Sequence, residues 1–154
     1  MEQSTKQARY ERLITQLQEL LRKTDDPIAR MSTVVALLHH KFSYFFWTGF
    51  YLLKDGELTV GPYQGSVACL VLQKNKGVCW AAINEHVSLI VPDVEQFPGH
   101  IACDTRSRSE IVIPLKNEDK QIIGVLDVDS KDLNSFDEID KESLEKIVKL
   151  IFGR

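Results

Sequence analysis

A chain of 154 residues with 44% hydrophobic and 27% charged side chains falls where one compact domain buries most of its apolar surface, so a single domain over residues 1–154 is expected. The formal net charge is −3 and the basic residues are interspersed with acidic ones, which excludes the basic stripe that nucleic-acid binding needs. The start Met1-Glu2-Gln3-Ser4 is polar, and the most apolar run, Tyr44 to Leu53, is about half the ~20 residues that span a bilayer; a cytoplasmic protein with no membrane partner is expected.

Ser4 followed by Gln7 reads as a capping box, and Tyr10, Leu13, Leu17, Leu20 and Leu21 recur at helical spacing. A first helix is therefore expected to about Lys23. Asp26 as N-cap and Pro27 at the first helical position open a second, with Ile28, Met31, Val34, Val35 and Leu38 as its apolar set. From Tyr44 an aromatic-rich strand runs to Lys54-Asp55-Gly56-Glu57, where Asp-Gly signals a type I′ hairpin. The return strand holds Val60, is interrupted at Gly61-Pro62, and is followed by a short strand from Val67 to Leu72 that contains Cys69. Trp80 to Ile83 reads as a short helix and Ser88 to Val91 as a strand. Pro92 to Arg108, irregular and carrying Cys103, is a loop of functional length. A hairpin of Glu110–Leu115 with Gln121–Asp129 precedes a last helix capped by Ser135 or Asp137, with Ile139, Leu144, Ile147, Val148 and Ile151 on one face. The class is α+β: a mostly antiparallel sheet with two N-terminal helices and a C-terminal one.

Alternation in the aromatic strand puts Phe46, Thr48, Phe50 and Leu52 on one side and Trp47, Gly49 and Tyr51 on the other. A glycine between two aromatics leaves an aromatic-walled slot suited to an S-methyl group; the plainer alternative is that both rings pack beneath a helix. In the last hairpin, a turn centred on Glu118 and Asp119 sets Glu110 opposite Asp127, with Asp129 two residues along on the same face. Acids at strand ends are often merely solvated, but the run Ile122-Ile123-Gly124-Val125-Leu126 argues for burial. Buried like charges raise at least one pKa and supply a proton donor, while the remaining anions hold an ammonium group.

Three cysteines without a close C-x-x-C pair do not form a structural disulfide framework or a zinc ribbon. A Cys3His zinc site from Cys69, Cys79, Cys103 and His100 is disfavoured by irregular spacing, and no metal is expected. Arg106 and Arg108 close to Cys103 favour its thiolate, the nucleophilic form. Cys69, in an apolar context, better fits the inert alternative of a small buried hydrophobe.

Trp47-Thr48-Gly49-Phe50-Tyr51-Leu52, Gly61-Pro62-Tyr63-Gln64-Gly65 before Ala68-Cys69, Gly77-Val78-Cys79, Pro98 to Asp104, Ser109-Glu110-Ile111-Val112 and Gly124 to Ser130 together resemble the free methionine-(R)-sulfoxide reductases, enzymes on the GAF fold. The resemblance implies that Cys103 attacks the sulfoxide, Cys69 resolves the resulting sulfenic acid, and Cys79 is an auxiliary thiol. It implies that Trp47, with Tyr51 beside it, meets the substrate methyl group, and that Glu110, Asp127 and Asp129 bind the sulfoxide oxygen and amino group. It further implies thioredoxin as recycling reductant, no tightly bound cofactor, and a homodimer. One departure is Trp80 after Cys79, where the family commonly has glycine; it is expected to reshape the pocket wall. The alternative is a non-catalytic GAF module that binds a small ligand or senses oxidant.

Overall fold

The computed structural model describes residues 1–100 and 102–153. Helices α1 (Gln3–Leu20) and α2 (Pro27–Lys41) lead into strands β1 (Trp47–Lys54), β2 (Glu57–Gln64) and β3 (Val71–Leu72), then α3 (Gly77–Glu85), β4 (Leu89–Val91), β5 (Ser109–Lys116), β6 (Ile122–Ser130) and α4 (Glu138–Val148). The strands form one sheet in the order β3-β2-β1-β6-β5-β4, every neighbouring pair antiparallel.

The apolar periodicity of α1, α2 and α4 covers one face of this sheet. Tyr10, Leu13, Leu17, Met31, Val34, Leu38, Leu144 and Ile147 pack there against Phe50, Ile111, Ile113, Leu126 and Val128. Ile28, expected in this core, is instead half-exposed in the first turn of α2. Asp26 caps α2 through the Ala29 N–H, with Pro27 following it. The capping box expected at Ser4 does not form: α1 already starts at Gln3, so Ser4 lies inside the helix, and the N-cap Glu2 makes no side-chain cap. The box occurs in α4, between Asp137 and Asp140.

Asp140 also joins α1 to α4. Its carboxylate accepts from the Lys6 ammonium at 2.7 Å and from the hydroxyls of Tyr10 and Tyr44 at 2.6 and 2.7 Å, so a fully buried charge has partners on both oxygens. Tyr44 therefore belongs to a turn, closed by Phe45 N–H to the Phe42 carbonyl, and β1 begins only at Trp47.

Asp55 and Gly56 both have positive φ, as a type I′ turn requires. β2 runs through Gly61-Pro62 without a break and absorbs one extra residue as a bulge opposite Gly49–Tyr51. The strand expected from Val67 shrinks to Val71–Leu72, leaving Cys69 in a loop. Among the described residues, no helix is long and apolar enough to cross a membrane.

Candidate functional site

The second face of the sheet carries a smaller core of Trp47, Tyr51, Leu58, Val78, Trp80, Val112 and Val125 beneath α3. The alternation holds within β1, with Phe50 and Leu52 toward the helices and Trp47 and Tyr51 on this side, but Phe46, expected with Phe50, precedes the strand and packs against the Trp47 side instead. The slot at Gly49, however, is filled. A Cβ there would meet the Tyr63 side chain and come within 2.6 Å of the Trp47 indole, which folds across the glycine. Trp47 stacks between Tyr51 and Tyr63, at centroid distances of 5.7 and 5.3 Å, and its N–H donates to the Ser66 carbonyl at 3.0 Å. The open space lies beside the stack. Gly49→Ala is expected to cost about 1–3 kcal/mol of stability by overpacking, measurable by urea unfolding, and to shift the Trp47 fluorescence.

That space is a cavity of about 200 Å³ whose lining includes Trp47, Tyr51, Cys69, Cys79, His100, Cys103, Glu110, Asp127 and Asp129. It therefore gathers every residue singled out from the sequence as a site candidate. Trp80 is not on its wall: it turns into the core behind α3, so it does not reshape the pocket as expected.

The three carboxylates come from β5 and β6, in a register that differs from expectation. Glu110 pairs with Asp129, and Asp127 with Val112. The turn is centred on Asp119, closed by Asn117 N–H to the Gln121 carbonyl at 2.9 Å, and β6 inserts Ile123 as a bulge opposite Leu115–Lys116. Together they move the pairing by two residues, which leaves every side chain on its expected face. Glu110 and Asp127 are buried and Asp129 is half-buried against the cavity.

Burial pushes all three acids above the ordinary carboxylate range. Glu110 is raised further by the charges of Asp127 and Asp129, both in hydrogen-bonding contact with it. Asp127 is raised by burial but opposed by hydrogen bonds from Glu110 and Cys79, which makes it the best-supported anion of the three. Burial and the same acids also raise the Cys79 thiol, so it stays protonated. Candidate donor atoms of Cys79, Glu110 and Asp127 lie within 4.8 Å of one another, and Asp127 Oδ1 is buried with no partner among the described residues. Burial lowers the pKa of His100, also on the cavity wall.

Cys69 and Cys103 form a disulfide, with Cα atoms 5.5 Å apart. Both cysteines line the cavity, Cys103 exposed and Cys69 partly so, so neither is the inert buried residue that Cys69 suggested in sequence. The reading of Arg106 as an activator of Cys103 does not fit: its guanidinium pairs with Asp104 at 2.7 Å and lies over the Phe46 ring. Asp104 also accepts from the Ser66 hydroxyl at 2.8 Å, joining the loops that carry the two cysteines. Ser66 and the stacking ring of Tyr63 had no local sequence signal, because their partners lie far away in the chain. Ile101 is outside the described residues.

A GAF domain family model matches residues 31–151. Fold and match make this chain a GAF-domain protein. GAF domain-containing protein A of Dictyostelium discoideum is 50% identical over 148 residues, covering 96% of this chain and 92% of the relative. The free methionine-R-sulfoxide reductase of Escherichia coli is 42% identical over 121 residues, covering 79% and 73%. The X-ray structure of free methionine-R-sulfoxide reductase from Neisseria meningitidis in complex with its substrate superposes with a TM-score of 0.90 at 38% identity, covering 95% of this chain and 87% of the other. Within the GAF class, the chain belongs to the free methionine-(R)-sulfoxide reductases, an enzyme family.

Proposed function

We propose that this protein reduces free methionine-(R)-sulfoxide to methionine through a sulfenic acid and disulfide cycle, with thioredoxin restoring the thiols. The observation that carries this reading is the Cys69–Cys103 disulfide on the wall of a cavity that also holds the three carboxylates. A carboxylate cluster of this kind suits a free amino acid, because the ammonium group it attracts is missing from methionine within a peptide.

In the proposed cycle the substrate methyl group rests against Trp47 and Tyr51, where sulfur and aromatic ring interact favourably. Asp127 and Asp129 hold the ammonium group. Glu110, raised by burial and by the charges of both neighbouring acids, donates to the sulfoxide oxygen. The Cys103 thiolate attacks sulfur, methionine leaves, and Cys103 keeps the oxygen as a sulfenic acid. The Cys69 thiol then condenses with it, forming the disulfide and releasing water. Thioredoxin supplies two electrons by thiol exchange. No metal or tightly bound cofactor enters this sequence.

The test is conversion of free methionine-(R)-sulfoxide by the reduced protein, with dithiothreitol or thioredoxin, followed as methionine formed. No turnover would reject the reading. Glu110→Gln isolates the proton donor: its amide offers a hydrogen bond but no proton, and the chemical step is expected to slow about a hundredfold. In single-turnover measurements the wild-type rate should lose its acid-donor contribution as pH rises through the elevated Glu110 pKa, and the variant should lack that limb. Stability follows the same sign. A raised acid binds its proton more tightly when folded, so its stabilisation is full below the ordinary value of 4.5 and is lost as pH rises through the folded value. Glu110→Gln should flatten that decline.

A further inference from the structure

We infer that the loop carrying Cys69 is also the docking surface for the protein dithiol that reopens the disulfide, with Leu70 at its centre; this rests on the cycle proposed above. Val67 and Leu70 are 84% and 73% exposed and Val71 is 47% exposed, three large apolar side chains within five residues of one another. Single exposed apolar residues are ordinary, whereas a group of them marks a contact surface.

Internal hydrogen bonds hold this loop in place. The Ser66 carbonyl accepts from Trp47 Nε1, the Cys69 carbonyl from the Tyr51 hydroxyl at 3.3 Å, and the Leu70 carbonyl from Val60 N–H at 2.9 Å. Its backbone is anchored while Leu70 points away from the cavity and the exposed Val67 and Val71 stand at the cavity's rim, so the patch is presented rather than frayed and borders the site itself. The disulfide within it identifies the occupant: a partner centred here meets an S–S bond, and the chemistry that uses one is a protein dithiol whose reactive cysteine is framed by apolar surface.

The exchange balances as follows. A partner thiolate bonds to Cys103 Sγ, the more exposed member of the pair, and the Cys69 sulfur leaves as a thiolate that takes a proton. The partner's second thiol then displaces Cys103 and carries away the disulfide. Two electrons pass to this protein.

Leu70→Glu tests the surface, because its outward side chain is free of the cavity wall. Thioredoxin-driven turnover is expected to lose about tenfold in kcat/KM for thioredoxin, the size of one lost apolar anchor, while dithiothreitol-driven turnover stays at the wild-type level. Leu133→Glu, also exposed but on a different loop, should change neither. Unchanged thioredoxin kinetics in Leu70→Glu would overturn the inference, as would an equal loss with both reductants. If Leu70→Glu dissolved a dimer in sedimentation without touching thioredoxin kinetics, the patch would belong to a second copy of the chain and the inference would fall. Wild-type protein inactive even with dithiothreitol would instead sink the underlying reaction. A thioredoxin lacking its second cysteine should be trapped on Cys103, and mapping to Cys69 would overturn the stated order of exchange.

Discussion

Cys103→Ser is expected to form no methionine under either reductant, with a rate at least about a thousandfold below wild type. The reason is electronic as well as geometric. Reduction of a sulfoxide transfers its oxygen to an atom that can rise by two oxidation levels, and a thiol does so by becoming a sulfenic acid. A serine hydroxyl in the same place would have to form an oxygen–oxygen bond, a much weaker and less accessible product. Substrate binding should survive, because Trp47, Glu110, Asp127 and Asp129 hold their positions through the sheet rather than through the cysteine. Retained affinity for the sulfoxide in titration calorimetry, with no methionine by chromatography, is therefore the expected pair of results. Full turnover would refute the role of Cys103.

The variant also separates chemistry from stability. The disulfide closes a loop between residues 34 apart, and cross-links over loops of about that size stabilise by about 3–4 kcal/mol in the chain-entropy account. Under oxidising conditions Cys103→Ser should melt below wild type, and under dithiothreitol the two should coincide. A variant that melts early even when reduced would be misfolded, and its inactivity would then say nothing about Cys103.

How far the sequence leads is clearest where it goes wrong. Strand alternation is a local property, so the faces of Trp47, Tyr51 and the three acids follow directly from it. Register depends on the turn and on bulges, and the inserted Ile123 with a turn centred on Asp119 moved Glu110 from Asp127 to Asp129. The error left the site intact only because it was an even number of residues. The slot at Gly49 failed for another reason: a glycine marks a close approach, but the pattern does not say which side chain takes the space. Here it is Trp47 itself.

The stretch from Val67 to Leu72 failed most instructively. Its apolar composition signals burial, yet Val67 and Leu70 face outward and only Val71–Leu72 pair as a strand. Local propensity was overridden by hydrogen bonds from Trp47 and Tyr51, residues distant in sequence. Contacts of that kind leave no periodic trace. The same holds for the pairing of Cys69 with Cys103, which came from family resemblance; the residues alone had cast Cys69 as an inert hydrophobe.

Cys69→Ser should divide the cycle at the point where the disulfide forms. The reduced variant is expected to release one methionine per chain at close to the wild-type rate, because Cys103, Glu110 and the aromatic wall are unchanged, and then to stop when thioredoxin is the reductant. Mass spectrometry of the stalled protein should find one added oxygen on Cys103, trapped with dimedone as a sulfenic acid adduct. Cys79 provides the competing outcome. Its thiol is buried, kept protonated by the neighbouring acids and in hydrogen-bonding contact with Asp127, which leaves it a poor nucleophile in this conformation. If thioredoxin-driven cycling instead continued at the wild-type rate, with a Cys79–Cys103 disulfide in the peptide map, the loop would have to open far enough to bring Cys79 to the oxidised sulfur, and resolution would pass to Cys79. A stall at one turnover that Cys69→Ser shares with the double variant Cys69→Ser/Cys79→Ser would assign resolution to Cys69 alone.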